Sequence, residues 1–164
     1  MVVIMLLGAG FGIVAQTGRA QADLNQLMRG VLYPAANVVF FAQADNPGEV
    51  KKAPGQDPSM ATDPLQSTFG GWQAVENAAL ALTESANLLV IPGRTCSNGA
   101  PVPLSDPDWV KFVQEVRDAG VQAFKAAQAK DQDKMVEVSE VLTAACAHCH
   151  LKFRDRRGQA QRCR

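Results

Sequence analysis

This sequence has few aromatic residues and no net charge. Only 6 % of the residues are aromatic, and the formal net charge is zero at neutral pH. A β-sandwich draws on aromatic and β-branched residues, whereas this chain repeats alanine in short blocks that favour closely packed helices. A balanced charge also gives no reason to expect nucleic acid or an acidic substrate. The composition therefore predicts an all-α protein that does not bind nucleic acid.

Charge is also absent from the N-terminal segment before Arg19. This apolar stretch ends in Ala20-Gln21-Ala22, the small-x-small pattern that signal peptidases cleave. It is shorter than the roughly 20 apolar residues that span a bilayer. We predict that residues 1–22 are a signal peptide for export to the periplasm and that residues 23–164 form one domain. The segment lacks the usual Lys or Arg after its first residue, and a retained membrane anchor is the alternative.

Apolar residues recur at helical spacing in four segments after the signal, and no stretch shows sustained strand-like alternation. The predicted helices are Leu24–Gln43, Pro64–Ile91, Pro107–Lys130 and Asp131–Arg157. Pro34 predicts a kink in the first of them, because proline lacks a backbone donor and its ring crowds the preceding turn. Four amphipathic helices of this length predict an antiparallel up-and-down four-helix bundle.

The fourth predicted helix contains Cys146-Ala147-His148-Cys149-His150, the C-x-x-C-H pattern of c-type haem attachment. Two cysteines three residues apart lie on one face of a helix, where both can form thioethers with the vinyl groups of one haem. The histidine that follows is placed under the iron as the proximal ligand. We therefore predict one covalent haem c, held through Cys146 and Cys149, with His150 bound to its iron.

Three other interpretations of the C-x-x-C pair are weaker. A thioredoxin-type redox site needs a βαβ setting, for which the helical periodicity leaves no room. Half of a zinc site would need Cys96, Cys163 or His148 to complete it, and these residues lack the paired spacing of structural zinc sites. A plain disulfide is conceivable in an exported protein. The combination of C-x-x-C-H with an export signal favours haem over all three.

The surroundings of the motif resemble a known family. The run CAHCHLKFR, from Cys146 to Arg154 near the end of the last of four helices, resembles the cytochrome c prime family, the class II c-type cytochromes. The stretches LMRGVLYPAANVVF, ESANLLVIPGR and DPDWVKF are similar to a periplasmic monohaem branch of these proteins. The resemblance covers essentially the whole chain after residue 22. It implies a haem near the C-terminal end of helix four and a role in electron transfer.

The distal side of the iron has few candidate ligands. His148 and His150 are the only histidines, and His148 is tethered beside the proximal ligand, so it cannot readily reach the opposite face. In an up-and-down bundle, helix one begins where helix four ends, which places Met28 near the haem. A methionine on an apolar stripe is usually core filling. The resemblance implies both methionine-ligated and five-coordinate forms, and we favour Met28 as the distal ligand.

Two further cysteines and several basic residues are expected at the same end of the bundle. Exported cysteines tend to pair, so we expect a disulfide between Cys96 and Cys163. Arg94 and Arg154 are candidates to pair with the haem propionates. The basic C-terminal tail is either a solvated helix end or a docking surface for an acidic redox partner.

These features together predict a periplasmic electron carrier. No arrangement of serine, histidine and aspartate and no carboxylate pair suggests hydrolysis, so we do not expect an enzyme. The expected partners are redox proteins. A homodimer is kept as an alternative to a monomer, because such bundles often pair through a helix face. A five-coordinate haem protein that binds nitric oxide or carbon monoxide is the first alternative. A haem subunit of a membrane-associated redox complex is the second, and it requires that residues 1–22 are retained.

Overall fold

The computed structural model describes residues 19–155 and Cys163. Within this part of the chain the regular elements are helices, apart from one isolated bridge between Thr95 and Pro101. None of these helices is both long and apolar enough to cross a membrane. Most of the predicted signal peptide and most of the basic tail lie outside the described residues. The all-α prediction is confirmed for the part that is described.

The described residues form four helical rods. The first rod joins α1 to α2 through a π-helical turn, and the last rod, α5, continues into a second π-helical segment. The bounds are α1 Leu24–Leu27, the π-helical turn Met28–Leu32, α2 Tyr33–Ala44, α3 Trp72–Leu88, α4 Pro107–Ala129, α5 Gln132–Cys149 and the π-helical segment His150–Asp155. These boundaries lie close to the predicted ones, with one exception at the start of α3, while the predicted end of the fourth helix at Arg157 lies outside the described residues.

The exception is the predicted start of the second helix at Pro64. In the structure Pro64–Gln66 is only a 3-10 turn, and α3 begins at Trp72. Gly71 precedes α3 with φ 63° and ψ −142°, a backbone conformation that lies outside the helical region. The chain therefore turns at this glycine before it enters the helix, and the prediction of one helix from Pro64 was wrong.

The sequence predicts a kink at Pro34, and in the structure a π-helical turn ends at Leu32, two residues before this proline. The N–H of Tyr33 donates to Met28 O, five residues back. In a regular α-helix the ring of Pro34 would crowd the carbonyl of Gly30, and no N–H would be available to bond it. The wider turn accommodates the proline, and it places Met28 at the first position of a π-helical turn. Such turns are frequent at functional sites.

Contacts between the rods place four chain segments at one end of the molecule. α2 packs against α3 and α5, while α4 packs against the same two helices. The N–H of Leu24 donates to Thr95 O at 2.8 Å, and Trp109 Nε1 donates to Leu89 O at 3.2 Å. Phe153 packs edge-on against Trp109, with ring centroids 5.1 Å apart. The start of α1, the end of α3, the start of α4 and the end of α5 therefore meet.

Gly120 allows α4 to approach α3 closely. A Cβ added to this buried glycine would lie 2.5 Å from Thr83 Oγ1 and 2.9 Å from Thr83 N. The second neighbour is a backbone atom, so rotating the threonine side chain cannot relieve the overlap. The two helices would have to move apart to accept any larger residue.

We expect Gly120→Ala to lower the free energy of unfolding by about 1–3 kcal/mol, the usual range for overpacking. This loss outweighs the gain of about 1 kcal/mol that alanine normally brings to a helix. Urea unfolding followed by circular dichroism measures the difference. Gly30→Ala is the matched control, because no heavy atom lies within 4 Å of a Cβ built there. Equal destabilisation by both substitutions would contradict the close-approach explanation.

Candidate functional site

A cavity of about 430 Å³ lies at the end of the molecule where α1 begins and α5 ends. Residues from all four rods line it, and most of them are apolar. The wall includes Leu24, Leu32, Ala36, Phe40, Leu82, Leu89, Trp109, Phe112, Val113, Val116 and Phe153. Cys146, Cys149, His150, Met28 and Arg154 also open onto this cavity. The structure thus brings together five of the six residues predicted from sequence to surround a haem.

The two motif cysteines lie in the last turn of α5, half-buried and unpaired. Burial raises the pKa of the Cys146 thiol above its ordinary value. Burial, together with the nearby charges of Cys146 and Glu115, raises the pKa of Cys149 to about 12. Both groups are therefore neutral thiols at pH 7, which suits an apolar wall. Their spacing on one helix face leaves both sulfurs able to react with a single ligand in the cavity.

His150 begins the π-helical segment directly after the second cysteine. Burial lowers the pKa of its imidazole, and the positive charge of Arg154 lowers that pKa further, while Asp155 opposes the effect. The ring is therefore neutral near pH 7. A neutral imidazole keeps a lone pair on one nitrogen, which is the form that binds a metal ion.

Three aromatic rings form one side of the cavity. Phe153 is buried, and its ring stands edge-on to Trp109 and to Phe112, with centroids 5.1 and 6.2 Å away. Trp109 is held in turn by its hydrogen bond to Leu89 O. These contacts hold the three rings against one another in the wall of the cavity. Phe112 does not stand out in the sequence, because only the packing of α4 against α5 brings it to the site.

Polar side chains are concentrated at one edge of the cavity. Asn25, Arg29 and Tyr33 follow each other at four-residue spacing on the first rod and line the cavity together with Arg154. Arg154 Nε and Nη2 donate to the carboxylate of Asp155 at 2.7 and 3.1 Å. Arg29 was not among the predicted site residues. Its position one residue after Met28, on the same face as two other polar residues, is the signal that would have identified it.

Arg94 is the one predicted site residue that does not appear in the lining of this cavity among the described residues. Its side chain is buried, and Nε donates to Leu88 O at 3.0 Å. Nη1 donates to Ala22 O as well. The guanidinium therefore ties the loop after α3 to the chain just before α1.

His148 lies on the outer side of the motif. Its Nδ1 donates to Glu115 Oε2 at 2.7 Å, and its ring packs at 5.6 Å from the ring of Phe112. Lys152, further along, donates to Asp106 Oδ1 at 2.9 Å and to Asp108 Oδ2 at 2.7 Å. These contacts attach the end of the last rod to α4 and to the residue that precedes it.

The structure brings Cys96 and Cys163 to disulfide distance, with Cα atoms 4.8 Å apart, as predicted from sequence. Cys163 lines the cavity, and its N–H donates to Phe153 O at 3.1 Å. Cys96 lies in the loop after α3 and is buried. The pair therefore fastens the C-terminal end of the chain to that loop beside the cavity.

We expect reduction of this disulfide to lower the free energy of unfolding by about 2–4 kcal/mol, because 67 residues separate the two cysteines and the bond restricts the unfolded chain. Thermal unfolding with and without a thiol reductant measures the loss. The Cys96→Ser/Cys163→Ser variant should show the same loss and no response to reductant. Intact mass should rise by about two hydrogens on reduction of the parent chain, and an unchanged mass would contradict the pairing.

The competing interpretations of the C-x-x-C pair find little support in this geometry. The described residues contain no strand from which a βαβ redox site would be built. They also contain no group of three or more His, Cys, Asp or Glu side chains that could hold a metal ion.

No protein-family model, curated protein or solved structure matches the chain. The function is therefore argued from the residues of the cavity.

Proposed function

We propose that this protein is a monohaem c-type cytochrome that transfers electrons. Cys146 and Cys149 would bind the haem covalently, and His150 would be the proximal iron ligand. The observation that carries the proposal is the convergence of two neutral thiols, a neutral imidazole and the Met28 thioether on one largely apolar cavity. A largely apolar wall with a few polar groups at one edge suits a large flat cofactor that carries two carboxylates.

Each group at the cavity has a definite task in this proposal. Cys146 and Cys149 would hold the haem through two thioethers, each formed by addition of the S–H across one vinyl double bond, with sulfur on one vinyl carbon and hydrogen on the other. His150 orients the bound group through its neutral ring nitrogen. The bound haem supplies a one-electron Fe(III)/Fe(II) couple. Arg29 and Arg154, at the polar edge, offer guanidinium groups to the propionates.

The finer architecture belongs to the same proposal. The rods would run up and down in antiparallel order, with the haem near the C-terminal end of α5. The contacts that join the start of α1, the end of α3 and the start of α4 support this order. The buried cysteine pair beside the cavity is typical of an oxidising compartment and supports export to the periplasm. Redox proteins would then be the physiological partners.

A second candidate is a five-coordinate haem protein that binds nitric oxide or carbon monoxide. It is favoured by the apolar residues that the first rod contributes to the cavity beside its polar ones. Leu24, Leu32 and Ala36 line the cavity from that rod and offer no ligand atom in their side chains. Only Met28 on this rod brings a sulfur, so the choice between the two functions depends on that one side chain.

The proposal is tested by producing the full chain in a bacterial host that has a haem c maturation system. The purified protein should stay coloured by haem after denaturing electrophoresis, and its reduced spectrum should show the sharp bands of a c-type haem. Haem that separates from the denatured chain, or a chain that carries zinc instead of iron, would contradict the proposal.

A further inference from the structure

Glu115 places a carboxylate directly against the outer side of the haem-attachment motif. Its Oε2 accepts a hydrogen bond from His148 Nδ1 at 2.7 Å. Phe112 and Val116, the residues one turn before and one position after it on α4, both line the cavity. The carboxylate thus sits beside the wall of the cavity, and 29 % of its side chain is exposed.

The other charged groups near the motif are engaged elsewhere. Lys152 bonds Asp106 and Asp108, and Arg154 bonds Asp155. Lys111, one turn before Glu115 on α4, lies with its Nζ 5.9 Å from the ring centroid of Phe112. Among the described residues, His148 is the only basic side chain within ion-pair distance of Glu115. The negative charge therefore faces the motif with one partner at most.

We infer that Glu115 is a positioning residue that holds His148 in place and lowers the reduction potential of the haem. This inference rests on the proposed function. The oxidised haem carries one more positive charge than the reduced haem, so a fixed carboxylate close to it stabilises the oxidised state.

The test compares the midpoint potentials of the full holoprotein and its Glu115→Gln variant by spectroelectrochemistry. The amide has the size of the carboxylate, so the fold should be kept while the charge is lost. We expect a clear positive shift of the potential. Glu115→Asp, which keeps the charge, should stay closer to the parent chain. A potential that does not move, or that becomes more negative, would overturn the inference.

Glu137→Gln is the matched control for the loss of one negative charge. Glu137 pairs with Lys134 on the exposed face of α5. It precedes Cys149 by 12 residues, or about 18 Å along the helix. Salt screens charges at that distance, since the Debye length is about 8 Å at physiological ionic strength. An equal shift in both variants would show that net charge rather than the place of Glu115 is responsible, and it would overturn the inference.

Haem staining of denatured protein and the unfolding temperature are measured on the same samples. Covalent haem in all four proteins with an unchanged potential in Glu115→Gln defeats only this inference. Absence of covalent haem from the parent chain defeats the proposed function and this inference together. A lowered unfolding temperature with no shift in potential would assign Glu115 a purely structural role and overturn the inference.

Discussion

The Cys146→Ser/Cys149→Ser variant is expected to purify without covalently bound haem. A hydroxyl does not form the thioether by which c-type haem is attached, and the cavity offers the vinyl groups no other thiol while Cys96 and Cys163 are paired. Each single variant keeps one attachment point and should retain part of the haem with an altered reduced spectrum. Haem-stained denaturing gels and intact mass, which should fall by the mass of one haem, measure the loss.

The matched control is Cys96→Ser/Cys163→Ser, which removes the same number of sulfur atoms at the same end of the molecule. It should keep its covalent haem and lose only stability. Covalent haem in the variant that lacks both motif cysteines would contradict the assignment of Cys146 and Cys149. Equal loss of haem in the control would show that general damage to this end of the molecule explains the result.

The helices were largely predictable because their signal is local. Apolar spacing of about 3.6 residues and proline at helix starts identify α4 from Pro107 onward without tertiary information. The turn at Gly71 was missed because apolar residues continue on both sides of it, so the spacing alone does not show that the backbone leaves the helix there. The positive φ of Gly71 separates the preceding turn from α3, and this angle is known only from the structure.

The residues of the candidate site also differ in this respect: local sequence predicts some of them, and others are found only from tertiary packing. The spacing within one helical turn predicts the roles of Cys146, Cys149 and His150. The role of Met28 is predicted only when the order of the helices in the bundle is also used. Arg29 has a local signal, its place beside Met28 on a face with two other polar residues. Glu115 could not be identified from sequence, because its proximity to the motif arises from packing between rods. The sequence predicts that Arg94 lies near the propionates. In the described structure its guanidinium donates hydrogen bonds to two backbone carbonyls.

The identity of the distal ligand can be decided by replacing Met28. If its thioether binds the iron, the parent protein should be low-spin and should react slowly with carbon monoxide. Met28→Ala should then become fully high-spin and five-coordinate, bind carbon monoxide readily and show a lower reduction potential, because methionine ligation raises it. Absorption and electron paramagnetic resonance spectra of both oxidation states measure the change.

Two variants separate ligation from the filling of space by the same side chain. Met28→Leu keeps the apolar volume, so it should preserve the stability of the fold while it converts the iron to the high-spin form as completely as alanine does. Met60→Ala removes a methionine that is 72 % exposed on the loop between α2 and α3, and it should change nothing in the spectrum. A parent protein that is already high-spin and binds carbon monoxide readily would exclude Met28 as a ligand. The second candidate function would then be favoured, since the Met28 thioether would only fill space in the wall of the cavity.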